Sequence, residues 1–446
     1  MNLYRLLQQR VAAGNPVRVG LIGAGKFGSM YLSQIPRTPG IHVLAVADLD
    51  PARAEQALVR VGWHQAQYAA DNFKQAFASG TTHITDDAMA LIRNRHVEVI
   101  IDATGDPAAG IAHALACCEN RKHIIMVNVE ADALAGPLLA RRAAEAGVVY
   151  SLAYGDQPAL ICEMVDWART AGFEVVAAGK GSRYLPAYHA STPDTVWGYY
   201  GFSEETVAVG DFNARVFNSF LDGTRSAIDM AAVANATGLT PAPRGLEFPP
   251  CGADDLAHVL RPRADGGHLH HRGQVEVISS LERDGRPVFR DLRQGLFVTV
   301  AADADYVRRS FGEYGLVTDD SGNYAAMYKP FRLAGLELGI SVASVAVRGE
   351  PTGVPTAWHA DCVAVAKREL KAGEILDGEG GYTVYGKLMP AAVSRRLGGL
   401  PVGLANNVKL LRNIAAGKPV TWEDVAIEAK GQAVKVRREM EKMFSP

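Results

Sequence analysis

The feature that most constrains the fold is a glycine-rich turn between a predicted strand and a predicted helix. The stretch VGLIGAGKFGSMYLSQI, residues 19–35, has glycines in the spacing G-x-G-x-x-G. In this spacing the first glycine permits a tight turn, the second lets a pyrophosphate approach the backbone, and the third allows close packing of helix on strand. Free amides and the dipole at the helix N-terminus favour a bound phosphate. The turn predicts a dinucleotide site with contacts from Gly23, Gly25, Lys26, Phe27 and Gly28.

Strands and helices continue to alternate after this turn. Apolar runs predict five more parallel strands, at 42–48, 97–103, 123–128, 148–153 and 173–179. A doubly wound parallel sheet buries such strands between helices. We therefore predict an α/β fold in which residues 1–179 form a Rossmann-type NAD(P)-binding domain.

Three positions bear on the choice of cofactor. Asp48 ends the second strand, twenty residues beyond Gly28, where an acid binds a ribose 2′-hydroxyl and favours NAD over NADP. Arg53 follows one helical turn later and could offset that charge. Thr104 and Gly105 follow the strand at 97–103, at the edge where ligands bind in open α/β sheets. From the residues alone NAD is favoured and NADP stays open.

Composition excludes several other classes of function. The net charge is −2, with 48% hydrophobic and 21% charged residues, which gives no electrostatic case for nucleic acid or an anionic membrane as partner. The five cysteines are scattered and lack metal-ligand spacing, as is typical of reduced thiols. The opening segment MNLYRLLQQRVAAG is too polar for a signal peptide or a membrane span. We predict a soluble cytoplasmic protein.

Residues 180–350 are predicted to form a mixed α+β catalytic and dimerisation domain. A long polar and aromatic loop at 179–201 comes first, then a helix, two alternating strand runs, and a return to helix over 314–347. Lys180 lies just past a predicted strand, and Lys329 lies in the polar YAAMYKPF. Either lysine could bind a phosphate or protonate an alkoxide, and either could equally be a solvated surface lysine.

Further candidates lie in this part of the chain and just before it. Glu130 and Asp156 each follow a predicted strand, so together they are suited to acid–base work or, at Asp156, to a divalent cation. A helix N-cap is the alternative role for Asp156. His189 is a candidate catalytic residue that would orient the substrate. Candidate substrate-binding residues are Arg183, Thr192 and Asp194, although residues 191–194 could simply shape a turn.

The C-terminal part begins after a Pro- and Gly-rich break at 348–361. Beyond it, short β-like runs alternate with Gly-rich turns, and the pieces LKAGEIL and IAAGKPVTWEDV are alike. This part resembles the SAF domain, a small β-clip module. We assign residues 351–446 to it.

The whole chain resembles the 1-deoxy-D-xylulose 5-phosphate reductoisomerase-like oxidoreductases, which bear an SAF domain and are related to homoserine dehydrogenase. The motifs that carry the resemblance are GLIGAGKFG, IDATGDP, NVEADALAGPLLA, YGDQPALICEMVDWA, GKGSRYLPAYHASTPDTVWGYYG, FNSFLDGTRSAIDMAAVANATGL and GLELGISVAS. The resemblance implies NADPH as cofactor and a sugar phosphate substrate. It also implies rearrangement and hydride reduction to 2-C-methyl-D-erythritol 4-phosphate, a step of isoprenoid precursor synthesis. For the oligomer, a homodimer is the default expectation for such sheets.

The chain departs from the ordinary reductoisomerase at two motifs. Asn128 and Glu130 match its Asn-Lys-Glu motif, but Val129 replaces the lysine. Asp156 matches the start of its metal-binding motif, but Gln157 follows and the second carboxylate is missing. A Mg²⁺ or Mn²⁺ site would therefore have to be built differently, and a lysine from elsewhere would have to replace the lost one.

Two alternative functions stay open at this point. One is a homoserine-dehydrogenase-like NAD(P)-dependent oxidoreductase acting on a hydroxy acid or a sugar acid. The other is a nucleotide-sensing or sugar-binding protein without turnover.

Overall fold

The structure is a computed structural model that describes residues 2–209 and 212–445. Its internal contacts divide the chain into two units. The first unit comprises the residues up to Leu160 together with Arg332–Thr356, and the second comprises Ile161–Phe331 and the residues from Ala357 onward. In the described residues, no helix combines the length and the apolar character that crossing a bilayer requires.

The α-helices, in chain order, are α1 (Leu3–Ala12), α2 (Lys26–Gln34), α3 (Pro51–Arg60), α4 (Phe73–Ser79), α5 (Ala88–Arg93), α6 (Pro107–Glu119), α7 (Val129–Glu145), α8 (Gln157–Thr170), α9 (Val196–Tyr200), α10 (Glu204–Val209), α11 (Ala214–Leu221), α12 (Thr224–Thr237), α13 (Leu256–Val259), α14 (Asp305–Glu313), α15 (Gly339–Ala343), α16 (Ala391–Leu397) and α17 (Gln432–Met443).

The strands are β1 (Val17–Ile22), β2 (Ile41–Ala47), β3 (His83–Thr85), β4 (Val99–Asp102), β5 (His123–Met126), β6 (Tyr150–Leu152), β7 (Glu174–Ser182), β8 (Gln274–Ser279), β9 (Leu296–Ala301), β10 (Val317–Thr318), β11 (Tyr324–Lys329), β12 (Ala360–Ala366), β13 (Ile375–Asp377), β14 (Val384–Pro390), β15 (Asn406–Leu410) and β16 (Val425–Ala426).

The first unit is built on one parallel sheet with the strand order β3-β2-β1-β4-β5-β6. This is the doubly wound order in which a ligand binds where the strand order reverses, at the carboxyl ends of β1 and β4. Residues of α15 and its flanks, including Leu338 and Val342, pack in the same core as Val17 and Leu32. The predicted Rossmann-type α/β fold is confirmed.

The sixth strand of this sheet is not the one that the sequence predicts. Residues 173–179 fall in β7, which belongs to the second unit's sheet, and β3 takes the edge position beside β2. β3 has only three residues, His-Ile-Thr, so its apolar signal is too short to recognise. The predicted division at 179/180 accordingly falls inside a strand.

The second unit has a mixed sheet with the order β10-β11-β9-β7-β8. β7 runs parallel to β8 and antiparallel to β9. Since β7 stays paired with β8 as far as Ser182, Lys180 lies within the strand and not beyond it. The predicted helix over 314–347 is wrong for its first half, because β11 pairs there with β9 along its length.

The C-terminal segment adds two small antiparallel sheets to the second unit, β12-β14 and β13-β15-β16. Helix α12 packs against β12 and β14, and its residues from Thr224 to Asn235 are all buried. Small side chains such as those of Ala231 and Ala232 allow this close approach. Buried charged groups in this helix must be paired, and this requirement shapes the site described below.

Candidate functional site

The glycine turn at the carboxyl end of β1 has three glycines with three different surroundings. Gly23 has φ of +98°, and a Cβ built there would lie 2.7 Å from the carbonyl oxygen of Ala103. A Cβ on Gly28 would lie 2.3 Å from the carbonyl oxygen of Gly23. A Cβ on Gly25 would meet, among described atoms within 4 Å, only Nη2 of Arg53, at 3.3 Å. Gly23 and Gly28 are therefore needed for the fold, and Gly25 keeps a space open.

This open space lies at the N-terminus of α2, which begins directly after Gly25. The first-turn amides of an α-helix have no partner within the helix, so they are available to an anion. Lys26 is exposed at the first helical position, and Phe27 packs against the core beneath. A cradle that a Cβ would fill, open amides and an adjacent cation fit the pyrophosphate of a dinucleotide.

Asp48 and Arg53 flank the same turn. Oδ2 of Asp48 accepts a hydrogen bond from the Ala24 amide at 2.8 Å, and Oδ1 accepts one from the Asp50 amide at 3.2 Å. The carboxylate is half-buried, and the Arg53 guanidinium lies beside Gly25. Asp48 therefore holds the turn in shape in addition to any contact with a ribose.

A buried polar network lies at the carboxyl ends of β4 and β5. Asp102 is fully buried, and its carboxylate accepts hydrogen bonds from His113 Nδ1 at 2.5 Å and from Thr104 Oγ1 at 2.7 Å. Asn128 donates to Thr104 Oγ1 at 3.0 Å and caps α7 through the Ala131 amide. Gly105, at φ +69°, follows in the exposed turn. Sequence reasoning found Thr104, Gly105 and Asn128 but not Asp102 or His113, although an acid at a strand end was a usable signal.

The predicted carboxylates of the first unit have unequal environments. Asp156 is buried, and its Oδ1 accepts from Arg332 Nη1 at 2.5 Å and from the Gln157 amide at 2.9 Å. Glu130 is half-exposed in the first turn of α7. Within 2–209 and 212–445, no three His, Cys, Asp or Glu side chains gather as metal ligands would. Asp156 has an arginine as its charge partner, so the divalent cation stays a prediction.

The predicted lysines of the second unit lie in one row of the sheet. Leu296 of β9 pairs with Lys180 on one side and with Lys329 on the other, so all three side chains point to the same face. Lys180 is buried, and its Nζ lies 2.5 Å from Asp229 Oδ2 on α12. Arg225 Nε lies 3.0 Å from the other oxygen of Asp229. Lys180 is thus bound to a buried carboxylate, while Lys329 is half-exposed beside Phe331.

His189 forms a hydrogen-bonded pair with Tyr184. Its Nδ1 lies 2.7 Å from the carbonyl oxygen of Asp222, and its Nε2 lies 3.0 Å from the Tyr184 hydroxyl. Since a carbonyl can only accept, Nδ1 carries the proton of a neutral ring and Nε2 is left to accept from Tyr184. Burial lowers the pKa of His189 and raises the pKa of Tyr184. The pair is a neutral imidazole that accepts a hydrogen bond from a protonated phenol, and the phenol proton can pass to the imidazole along this bond.

Asp222 carries a second buried ion pair. Its Oδ2 lies 2.8 Å from Lys367 Nζ, and both side chains are buried. Burial raises the pKa of Asp222, and Lys367 opposes that rise. Lys367 also donates to the carbonyl oxygens of Ser191 and Gly381, both at 2.7 Å. One lysine therefore ties the 186–195 loop to the C-terminal segment.

The predicted substrate-binding residues lie around this loop and are engaged with protein atoms. Arg183 donates to the Tyr199 carbonyl at 3.0 Å, and Asp194 accepts from the Tyr382 hydroxyl at 2.9 Å. The Thr192 amide donates to Thr195 Oγ1 at 2.9 Å, which is a turn contact. The alternative in which residues 191–194 shape a turn fits Thr192.

Sequence reasoning missed most of the side chains that surround His189 and Lys180. For Asp222, Arg225 and Asp229 the signal was charge inside a predicted helix of small apolar residues, FLDGTRSAIDMAAVANA, where buried ions need partners, and the others had no signal. The missed residues are Tyr184, Asp222, Arg225, Asp229, Lys367 and Tyr385.

Comparison with known proteins matches three family profiles to the chain. Residues 17–127 match the GFO/IDH/MocA oxidoreductase family with its NAD-binding Rossmann fold. Residues 155–338 match the catalytic domain of oxidoreductase DRL, and residues 363–426 match the SAF domain. The predicted SAF domain is confirmed.

Individual relatives match over limited stretches. Inositol 2-dehydrogenase of Rubrobacter xylanophilus is 30% identical over 120 residues, which is 26% of this chain and 28% of that protein. A solved structure of a probable dehydrogenase from Thermotoga maritima is 15% identical, covering 75% of this chain and 90% of that one with a TM-score of 0.39. Myo-inositol dehydrogenase of Lactobacillus casei, solved with NAD(H) and myo-inositol, is 17% identical, covering 41% and 50% with a TM-score of 0.27.

The profile matches place the glycine turn within a stretch similar to the NAD-binding Rossmann fold of the GFO/IDH/MocA oxidoreductase family. The remaining matched stretches are similar to the catalytic domain of oxidoreductase DRL and to the SAF domain.

Proposed function

We propose that the protein transfers a hydride between NAD(P) and a hydroxyl-bearing carbon of a small hydroxylated compound, such as a cyclitol, a sugar acid or a hydroxy acid. The observation that carries the proposal is the open cradle at Gly25, at the start of α2 and beside Asp48. The name of the matched relative, inositol 2-dehydrogenase, supports a polyol-like substrate.

The first unit's residues have distinct tasks in this proposal. The nicotinamide, when bound, supplies the acceptor or donor of hydride. The first-turn amides of α2 and Lys26 bind the pyrophosphate of the dinucleotide, and Asp48 accepts a hydrogen bond from a ribose hydroxyl. The Asp102, Thr104 and Asn128 hydrogen bonds hold the turns that follow β4 and β5 in one conformation.

We propose that the His189 and Tyr184 pair accepts the proton of the reacting hydroxyl. In the oxidation direction the substrate O–H proton passes to the Tyr184 oxygen while the Tyr184 proton passes to His189 Nε2. The products are a carbonyl, a reduced nicotinamide and a protonated His189, so atoms and charge balance. The 3.0 Å hydrogen bond between the two side chains supports this relay.

Cofactor preference is a finer part of the proposal. Arg53 beside Gly25 supports a 2′-phosphate and therefore NADPH, which the family resemblance also implies. Asp48 favours NADH through its charge. We propose that the protein accepts both, with Arg53 and Asp48 setting the ratio.

A second candidate is reductoisomerase activity on 1-deoxy-D-xylulose 5-phosphate. The DRL catalytic-domain match over 155–338 spans nearly all of the stretch from YGDQPALICEMVDWA to GLELGISVAS that carries that resemblance. This activity would need a cation to polarise the ketone. We rank it second because Val129 and Gln157 depart from the ordinary enzyme and Asp156 is paired with Arg332.

One panel of assays separates the two candidates. Purified full-length protein is incubated with NAD⁺ or NADP⁺ and with myo-inositol, gluconate or homoserine, and separately with NADPH and 1-deoxy-D-xylulose 5-phosphate, while absorbance at the nicotinamide band is followed. We expect turnover in the first set. Turnover with 1-deoxy-D-xylulose 5-phosphate alone would refute the first candidate and support the reductoisomerase activity. Tight cofactor binding without any turnover would contradict both candidates.

The partners are proposals of the same kind. We propose a homodimer that acts on small molecules and binds neither nucleic acid nor membrane. Light scattering of the purified protein measures the oligomer directly, and a monomer at micromolar concentration would refute the dimer.

A further inference from the structure

The SAF segment reaches the His189 site through one face of β14. The Tyr385 ring stacks on the His189 ring, with centroids 4.3 Å apart and planes inclined by 23°. Lys387 is two residues further along the same strand, so its side chain points to the same face. Its Cε lies 3.7 Å from the Cβ position of Gly245. The opposite face of β14, at Gly386, packs against Thr224 and Cys362.

The lysines of this region differ in their partners. Lys367 is buried, ion-paired with Asp222 and hydrogen-bonded to two carbonyl oxygens. Lys387 is half-buried and its backbone pairs with Val363 of β12, but its side chain makes no hydrogen bond or ion pair with any residue in 2–209 or 212–445. A lysine ammonium without a counter-charge gains from an anionic partner. Because Lys387 lies on the face of β14 that carries Tyr385, an anion bound to its side chain would lie on the His189 side of the strand.

Other groups around His189 agree with an anion at this place. Lys367 and Lys387 both lower the pKa of His189, while the carboxylate of Asp222 opposes them from the other side. Burial and the Glu276 carboxylate raise the pKa of Tyr184, and the Arg283 guanidinium, 5.7 Å from the centre of the Tyr184 ring, opposes that rise. The charged groups that act on the relay are thus three cations, Lys367, Lys387 and Arg283, against the two carboxylates of Asp222 and Glu276.

We propose that the SAF segment completes the substrate site, with Lys387 as a specificity residue that binds a carboxylate or phosphate group of the substrate. This inference rests on the proposed function, because it assumes that His189 and Tyr184 act on the substrate. It narrows the substrate from hydroxylated compounds in general to anionic ones, such as sugar acids or sugar phosphates.

Steady-state kinetics of Lys387→Met test the proposal. We expect KM for gluconate or 1-deoxy-D-xylulose 5-phosphate, whichever the wild type turns over, to rise about tenfold or more, the scale of a lost charged hydrogen bond. Turnover at saturation should change little, KM for neutral myo-inositol should not change, and Lys387→Arg should restore much of the affinity. Lys409→Met, at an exposed lysine on β15 of the same segment, is the matched control and should match wild type.

A binding measurement keeps the test independent of turnover. The His189 ring is titrated by NMR in the full-length protein with and without inorganic phosphate or acetate. An anion at Lys387 should raise the pKa of His189 in wild type and not in Lys387→Met. The ion that shifts this pKa at the lower concentration shows whether the site prefers phosphate or a carboxylate. If Lys387→Met has the KM of wild type and neither ion shifts the pKa of His189, the inference is overturned. If no substrate of the panel is turned over while phosphate still raises the pKa of His189, the proposed function fails and the anion site stands.

Discussion

The glycine turn and the His189 site bring their working groups together in different ways. In the glycine turn the groups are backbone amides of consecutive residues, arranged by Gly23, Gly25 and Gly28. Around His189 the groups are side chains from distant positions, including Tyr184, Asp222 and Tyr385. A site made by local backbone is encoded in residue spacing, whereas a site made by side chains needs the tertiary fold. The experiments that follow test how far this contrast holds.

The largest effect is expected from paired substitutions in the glycine turn. Gly25→Val should abolish NAD(P) binding and leave the fold intact, because its Cβ would fill the cradle and meet only the movable end of Arg53 among described atoms within 4 Å. Gly28→Ala should instead destabilise the protein by about 3 kcal/mol or more, because its Cβ would overlap the Gly23 carbonyl. Nucleotide fluorescence titration and thermal unfolding of both variants separate these outcomes. Normal cofactor affinity in folded Gly25→Val would show that the turn does not hold phosphate.

Lys180 provides the next test, since its position just past a predicted strand makes it a candidate catalytic lysine. The fold pairs it with Asp229, so Lys180→Met leaves a buried carboxylate with Arg225 as its remaining cation. We expect a loss of about 3 kcal/mol in the free energy of unfolding. Urea denaturation measures the loss, and Lys180→Met with Asp229→Asn should recover part of it. If Lys180→Met unfolds like wild type but turns over about a hundredfold more slowly, Lys180 belongs to the chemistry.

The proton relay predicts a rate effect and a pH effect. Tyr184→Phe should lower turnover about a hundredfold, the scale of a lost proton-transfer group, with little change in cofactor affinity. Tyr188→Phe, at a second buried tyrosine nearby, is the control and should keep normal turnover.

The pH dependence follows from the lowered pKa of His189. Burial, Lys367 and Lys387 favour the neutral ring, against the opposing carbonyl and carboxylate of Asp222. Oxidation needs neutral His189, so its rate should be level above pH 6.5 and should fall only below that value, as the ring becomes protonated. A rate that rises steadily from pH 7 to pH 9 would contradict this role for His189.

The same contrast explains how much of the structure the sequence could predict. The Rossmann sheet follows from strand–helix alternation and from the glycine spacing, which act over short distances. Strand β3 was missed because three residues carry too little pattern, and β7 was placed in the wrong sheet because a buried strand does not reveal its neighbours. The partners of His189 could not be found because Asp222, Lys367 and Tyr385 approach it only after α12 packs against β12 and β14.

The smallest effect is expected at the edge of the glycine turn, where side chains adjust a site that backbone builds. Asp48→Asn removes the charge but keeps an oxygen for the Ala24 amide, so the turn should persist. It should favour NADPH over NADH by roughly one to two kcal/mol, the scale of a removed like-charge contact near a surface. Arg53→Ala should shift the ratio the opposite way, because its guanidinium lies beside Gly25. The ratio of kcat/KM for NADPH and NADH measures both shifts. If neither variant moves the ratio, preference is set elsewhere, and even this locally encoded site depends on side chains that its spacing does not reveal.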